Sequence, residues 1–141
     1  WLMREPESLD VVVTPNMFGD IVTDLASVLQ GGMGMAASAN IGEHHMMFEP
    51  VHGSAPKHSG KNRVNPIATL SSVALMLDSI GSKHNDENAT RCAELVEKSI
   101  RQHLETGGIT TYDLGGSGRT TEVGLAIAQI LESLLRTEFS N

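Results

Sequence analysis

Residues 51–66 read Val51-His52-Gly53-Ser54-Ala55-Pro56-Lys57-His58-Ser59-Gly60-Lys61-Asn62-Arg63-Val64-Asn65-Pro66. Gly53, Pro56, Gly60 and Pro66, set among small residues, rule out a regular helix or a central strand. The stretch is therefore a loop, and regular structure must lie on either side of it. Gly53, Ser54 and Ala55 leave little side-chain bulk between a ligand and the backbone N–H groups. Lys57, Lys61 and Arg63, with His58 beside them, bring cations into a segment without a carboxylate. Both features point to a loop that binds an anion. The competing reading is a solvated surface loop whose basic residues only maintain solubility.

The totals narrow the ligand. A chain of 141 residues, 40% of them hydrophobic, suffices for one core. A formal net charge of -7 and a pI near 5.2 argue against nucleic acid or an anionic membrane as partner, because those need an extended basic face and basicity here is confined to one loop. Cys92 stands alone in a helical pattern, which excludes an internal disulfide framework and suits a reducing compartment such as the cytoplasm. No apolar run reaches the length of a membrane span. No signal-peptide pattern is present, and the abrupt opening at Trp1 creates the expectation that an N-terminal part of the protein is missing.

Upstream of the loop, residues 9–14 include three consecutive valines before Pro15 and read as a short buried strand. Asn16 is placed to cap a helix reaching about Gln30, with Phe18, Ile21, Leu25, Val28 and Leu29 on one face and Gly31-Gly32 as its stop. On the other side of that helix Asp20 and Asp24 stand at i and i+4, so their carboxylates project from one face. Like charges at this spacing cost an isolated helix roughly 0.2–0.5 kcal/mol. A hard divalent cation, Mg²⁺ or Mn²⁺, would offset that with oxygen ligands alone; solvation or pairing with arginines is the alternative. Gly32-Met33-Gly34-Met35-Ala36-Ala37 matches the dinucleotide fingerprint in letters only. It follows a helix, and Ser38-Ala39-Asn40-Ile41-Gly42 after it reads as loop, so the fold is not Rossmann. Glu43-His44-His45 fits no familiar zinc spacing and reads as an exposed turn.

Downstream, Pro66 opens a helix to Ile80, with Ile67, Leu70, Val73, Ala74 and Leu77 as its apolar stripe and Gly81 as its stop. After a polar break over residues 82–88, a third helix spans about 89–104 with Cys92, Leu95, Val96 and Ile100 inward. Thr110-Thr111-Tyr112 is a brief β-prone piece ahead of a glycine-rich turn, 113–118. Thr120 or Thr121 then caps a last helix to about Arg136, whose buried side carries Val123, Ile127, Ile130, Leu131 and Leu134.

Four ordered blocks stand out from this survey. They are Asn16-Met17-Phe18-Gly19-Asp20-Ile21-Val22-Thr23-Asp24 with its trailing Gly31-Gly32-Met33-Gly34, then Glu49-Pro50-Val51-His52-Gly53-Ser54-Ala55-Pro56, then Asn65-Pro66, and last Asp113-Leu114-Gly115-Gly116. Together they closely resemble the C-terminal part of the isocitrate and isopropylmalate dehydrogenase family of metal-dependent, NAD(P)-linked β-decarboxylating enzymes. The resemblance covers essentially the whole chain. It implies an α/β fold, the C-terminal part of an isopropylmalate-dehydrogenase-like architecture with a mixed sheet flanked by helices. Residues 1–35 would hold the strand and metal-site helix, and residues 36–141 the cofactor-binding part of a larger two-domain protein.

The resemblance also implies roles. Asp20 and Asp24 match metal ligands, and Glu49 matches a residue near the nicotinamide. His52, Gly53, Ser54, Ala55 and Asn65 match the adenosine-side loop; Asn40, Ile41 and Gly42 match a segment beside the nicotinamide ribose; Asp113 matches a residue at the adenosine end. The family's catalytic lysine and tyrosine, its substrate-binding arginines and a further metal aspartate are expected upstream of Trp1. The implied partners are a malate-like 2-hydroxy acid, the N-terminal part of the same protein and a second copy, in a homodimer with shared active sites. A non-catalytic regulatory homologue that keeps nucleotide binding is the alternative.

Lys57 bears on the choice of cofactor. Members that use NAD tend to carry an acid there, facing the adenosine ribose hydroxyls. Lys57 with His58 resembles instead the Lys-Tyr pair of NADP-using isocitrate dehydrogenases, offering a 2′-phosphate a cation and a donor, so NADP is expected over NAD. Those enzymes also carry an arginine a few residues beyond the tyrosine matching Tyr112, where this chain has Gly115 and Gly116.

Overall fold

A computed structural model of the chain describes residues 1–139; residues 140 and 141, the end of the expected cofactor-binding part, lie outside the described residues. In chain order the elements are α1 (Asn16–Ala26), β1 (Ala37–Ile41), β2 (Met46–Pro50), α2 (Ile67–His84), α3 (Glu87–Glu105) and α4 (Thr120–Glu138). The core lies where α3 packs against α2 on one side and α4 on the other. Ile67, Ala74, Val96, Ile100, Val123 and Ile127 form its buried centre, with Met35, Leu70, Leu77, Leu104, Leu114 and Leu131 packed around it. Each of the buried isoleucine and valine side chains among them contributes about 1.5–3 kcal/mol. Among the described residues no helix is long and apolar enough to cross a membrane.

The helix ends differ from the sequence reading in instructive ways. Gly81 does not stop α2, which continues to His84 and ends on Asn85 in the left-handed region at φ 53°. Gly81 serves a different purpose: a Cβ there would stand 2.3 Å from Thr90 Oγ1 and 2.9 Å from the Asp86 carbonyl oxygen, so only glycine lets the start of α3 come this close. The polar break is correspondingly short. Asp86 caps α3 two residues earlier than expected, its carboxylate accepting from the N–H groups of Asn88 and Ala89. At the far end, the N–H of Gly108 donates to the His103 carbonyl and that of Gly107 to the Leu104 carbonyl, a Schellman closure. Neither expected threonine caps α4; Arg119 holds that position, its N–H donating to the Glu122 carboxylate. Cys92 is half-buried, and Val73, expected in the apolar stripe of α2, is exposed.

The sheet of the described residues is one antiparallel ladder, Ala37 opposite Pro50 and Ile41 opposite Met46, with α2 packed on both strands. Residues 38–42, expected as loop, thus lie mostly in β1, because pairing with β2 overrides the weak β propensity of Ser38, Ala39 and Asn40. Glu43, His44 and His45 make the exposed turn between the strands, as expected. Residues 9–14 do not form the expected buried strand: Val11, Val12 and Val13 are 83%, 54% and 92% exposed. β1 and β2 pair with each other, and a lone extended segment gains no hydrogen bonds by becoming a strand. Asn16 sits inside α1 rather than at its cap, because Gly19 N–H donates to the Pro15 carbonyl and closes the first turn one residue earlier. The helical path ends as expected at Gln30, but as a 3₁₀ turn over Ser27–Gln30.

Residues 110–112 form no strand either. The Thr110 carbonyl accepts from Gly118 N–H and the Thr111 carbonyl from Gly116 N–H, so the glycine-rich turn folds back on them.

Candidate functional site

Loop 51–66 enters from β2 and is fastened at several points. The Val51 N–H donates to the Ala36 carbonyl. Pro56–His58 makes a 3₁₀ turn entered through Ala55 at φ 46°, a left-handed conformation that disfavours a branched side chain. Asn62 then ties the loop to the start of α4. Its carbonyl accepts from Thr120 N–H, its Oδ1 accepts from Thr121 N–H at 3.1 Å, and its Nδ2 donates to Thr121 Oγ1 at 2.9 Å. Thr120 Oγ1 donates to the Val64 carbonyl at 2.6 Å. The expected capping threonines are thus used to anchor the loop.

At the entrance of the loop, a cavity of about 590 Å³ is lined by Asp20, Thr23 and Asp24 from α1, by Ala37 and Ser38 from β1, and by Glu49, His52 and Gly53. The two carboxylates expected to hold a metal therefore share this cavity with Glu49, expected near the nicotinamide, and with His52 and Gly53, expected on the adenosine side. Asp20 and Asp24 are exposed, and neither enters an ion pair among the described residues. Thr23 Oγ1 donates to the Gly19 and Asp20 carbonyls and so does not occupy the carboxylates. His52 Nδ1 donates to the Gly53 carbonyl at 2.9 Å. Among the described residues no group of three or more His, Cys, Asp or Glu side chains gathers at metal-binding spacing. Asp20 and Asp24 offer carboxylate oxygens alone, the kind of donor a hard divalent cation such as Mg²⁺ or Mn²⁺ takes.

The other end of the loop meets the glycine-rich turn. Asn65, buried, donates through Nδ2 to Asp113 Oδ2 at 3.0 Å and to Met35 Sδ at 3.6 Å, and its Oδ1 accepts from the Ile67 N–H at 3.0 Å. Asp113 Oδ1 accepts from Thr111 Oγ1 at 2.5 Å. Gly34 lies beneath this pair; a Cβ there would stand 2.6 Å from Asp113 Oδ2 and 3.0 Å from Asn65 Cβ. The glycine of the false dinucleotide fingerprint is thus explained by close packing. Next to Asp113, the Tyr112 hydroxyl and His58 Nε2 are 3.4 Å apart, and Arg63 Cζ lies 4.3 Å from the centroid of the Tyr112 ring.

The expected residues therefore fall into two groups joined by one loop: Asp20, Asp24, Glu49, His52 and Gly53 around the cavity, and His58, Asn65 and Asp113 at the far end. Ser54 is exposed between them, and Lys57 is exposed with no ion-pair partner among the described residues. Asn40, Ile41 and Gly42 are exposed at the tip of the hairpin and do not line the cavity. Sequence reasoning counted Arg63 only as loop charge; its contact with a residue 49 positions later gives no local signal.

The sequence model of the family described as isocitrate/isopropylmalate dehydrogenase matches residues 1–127. Homoisocitrate dehydrogenase of Methanocaldococcus jannaschii is 43% identical, the match covering 96% of this chain and 37% of that protein. Isocitrate dehydrogenase [NADP] of Thermus thermophilus is 47% identical over 92% of this chain and 25% of its own length. Among solved structures, isocitrate dehydrogenase from Methylococcus capsulatus superimposes with a TM-score of 0.81 at 39% identity, covering 92% of this chain and 37% of that one. The chain thus spans between a quarter and little more than a third of the length of these relatives.

Proposed function

This chain belongs to the isocitrate/isopropylmalate dehydrogenase family, and on that premise we propose that the protein containing it oxidatively decarboxylates a malate-like 2-hydroxy acid, using a divalent cation and NADP in preference to NAD. The observation that carries the proposal is the shared cavity, where Asp20 and Asp24 stand across from Glu49, His52 and Gly53 at the mouth of the loop. A protein that only bound nucleotide would have no use for two unpaired carboxylates there. The proposal includes a division of labour, residues 1–35 bringing the metal side and residues 36–141 the cofactor side, and a homodimer as the working assembly.

In the net reaction the carbon bearing the hydroxyl gives a hydride to the nicotinamide while the hydroxyl gives its proton to a base, the bond to the β-carboxylate breaks to release carbon dioxide, and a proton returns to the carbon that bore that carboxylate. When bound, Mg²⁺ or Mn²⁺ supplies Lewis-acid stabilisation of the hydroxyl oxygen and the adjacent carboxylate. Asp20 and Asp24 would hold the cation, Glu49 would lie toward the nicotinamide, and the loop would hold the adenosine side of the cofactor. Asn65 acts from behind, since both its amide hydrogens are engaged within the chain. The residues that exchange protons are assigned to the part of the protein outside this chain.

The test is an assay of the protein containing this chain with Mn²⁺, either dinucleotide, and isocitrate, homoisocitrate, 3-isopropylmalate and tartrate in turn. Reduction of NADP with matched release of carbon dioxide for one substrate is expected, with Lys57→Asp shifting the ratio of kcat/KM values toward NAD. Nucleotide binding without turnover on any substrate would favour the regulatory homologue.

A further inference from the structure

The resemblance leaves one cation unaccounted for, because Gly115 and Gly116 stand where an arginine is expected beyond Tyr112. The fold brings another from the opposite wall. Arg63 lies with Cζ 4.3 Å from the Tyr112 ring centroid, well inside the roughly 6 Å reach of a cation–π contact. His58 completes the cluster, its ring centroid 5.7 Å from that of Tyr112 and tilted by 34°, with Nε2 3.4 Å from the hydroxyl. His58 Nδ1 is buried and has no hydrogen-bond partner among the described residues.

Three properties make this cluster more than a packed surface. A guanidinium laid on an aromatic face keeps its in-plane N–H donors outward, in the fork that matches two phosphate oxygens. Arg63 enters no ion pair among the described residues, so its charge is not already neutralised. The ring contact narrows the rotamers of a long side chain, so less entropy is lost when a ligand fixes it. Asn62, one residue earlier, is tied to α4, which steadies the backbone that carries Arg63.

We propose that Arg63, held on the Tyr112 ring beside His58, is the specificity-determining cation for a phosphate monoester on the adenosine ribose, doing from the loop what Gly115 and Gly116 cannot. The inference rests on the NADP reading above and adds to it a residue and a geometry. Lys57 contributes charge from the same loop, but Arg63 supplies the oriented pair of donors.

The experiment is calorimetric titration of the full-length protein with adenosine 2′,5′-bisphosphate and with adenosine 5′-monophosphate, for the parent and three variants. The parent should bind the bisphosphate more tightly. Arg63→Gln should weaken the bisphosphate by roughly tenfold or more and leave the monophosphate unchanged, which also shows that the variant is folded. Tyr112→Ala, which removes the ring, should reproduce that loss, and Tyr112→Phe, which keeps the ring, should lose less. If the parent discriminates and Arg63→Gln discriminates equally well, the role of Arg63 is overturned while the NADP reading stands on Lys57 and His58. If Tyr112→Ala keeps full discrimination, the ring does not position Arg63. A parent that binds both nucleotides equally overturns the NADP reading, and this inference with it.

Discussion

Asn65 Nδ2 donates to Asp113 Oδ2 at 3.0 Å, a bond between residues 48 apart in the sequence. It joins the end of the binding loop to the glycine-rich turn and closes over Gly34, while Asn65 Oδ1 accepts from the first N–H of α2. One buried amide thereby ties three segments together, beside the Ala68 N–H that donates to the Gly34 carbonyl. An amide suits this place because it must donate to a carboxylate and accept from a backbone N–H at the same time.

Asn65→Ala is expected to destabilise the protein by about 1–3 kcal/mol, since the Ile67 N–H is left without its partner in a buried place. Cofactor KM should rise more than kcat falls, because Asp113 and the turn lose their brace while the metal side is untouched. Urea denaturation together with initial-rate kinetics checks both parts. Equal stability and an unmoved KM would contradict the bracing role.

Asp20→Asn should weaken Mn²⁺ binding by at least the roughly 10–100-fold that follows loss of even an outer-sphere partner, because it removes one charge and one anionic oxygen from a hard-cation site. Electron paramagnetic resonance of free Mn²⁺ gives the affinity directly. Unchanged affinity with unchanged turnover would sink the assignment of α1 as the metal helix.

Much of this was legible before any coordinates. The loop, the three core helices and the inward positions of Ile67, Ala74, Val96, Ile100, Val123 and Ile127 follow from glycine and proline placement and from helical periodicity. What escaped was set by tertiary contact. Gly81 looks like a stop until Thr90 is seen against it, and Ser38, Ala39 and Asn40 have no strand signal apart from their partners in β2. The valines at 11–13 show the reverse case, a strong strand pattern with nothing to pair with. In the site, the spacing of Asp20 and Asp24 places both carboxylates on one helix face but does not choose between solvation and a metal, a choice that came from the resemblance, and the contact of Arg63 with Tyr112 has no local signal at all.

Glu138, at the end of α4, accepts from Arg91 Nε at 2.6 Å and from Nη2 at 2.9 Å, linking α4 to α3. The hydrogen bond from Arg91 holds the Glu138 carboxyl below its ordinary pKa, with desolvation opposing. A depressed folded-state value means that the link contributes stability above the unfolded-state pKa and loses it as pH falls through the folded-state one. The pair is open to solvent, so its contribution is small and screened. Glu138→Gln should therefore lower the urea midpoint slightly at neutral pH, by less in high salt, and not at all once the pH is below the carboxylate range. A difference that grows toward acid would reverse the sign.

The last prediction concerns the uncovered face of α1. Phe18, Ile21 and Leu25 are each at least half exposed, and Val28 and Leu29 continue the same surface into the 3₁₀ turn. A helix with an amphipathic pattern gains most of its stability by burying that face, and an isolated helix of 11 residues is marginal in water. The helices α2, α3 and α4, in contrast, share a closed core. Expressed alone, the 141-residue chain should be inactive, and its amides should exchange in two classes: rapid over residues 9–30, slow in α2, α3 and α4. Within the full-length protein residues 9–30 should gain protection, including the valines at 11–13, because the remaining chain or the second copy covers α1 and offers those valines a strand to pair with. Hydrogen exchange followed by mass spectrometry separates these outcomes. If residues 9–30 of the isolated monomer exchange as slowly as α3, the exposed face needs no partner.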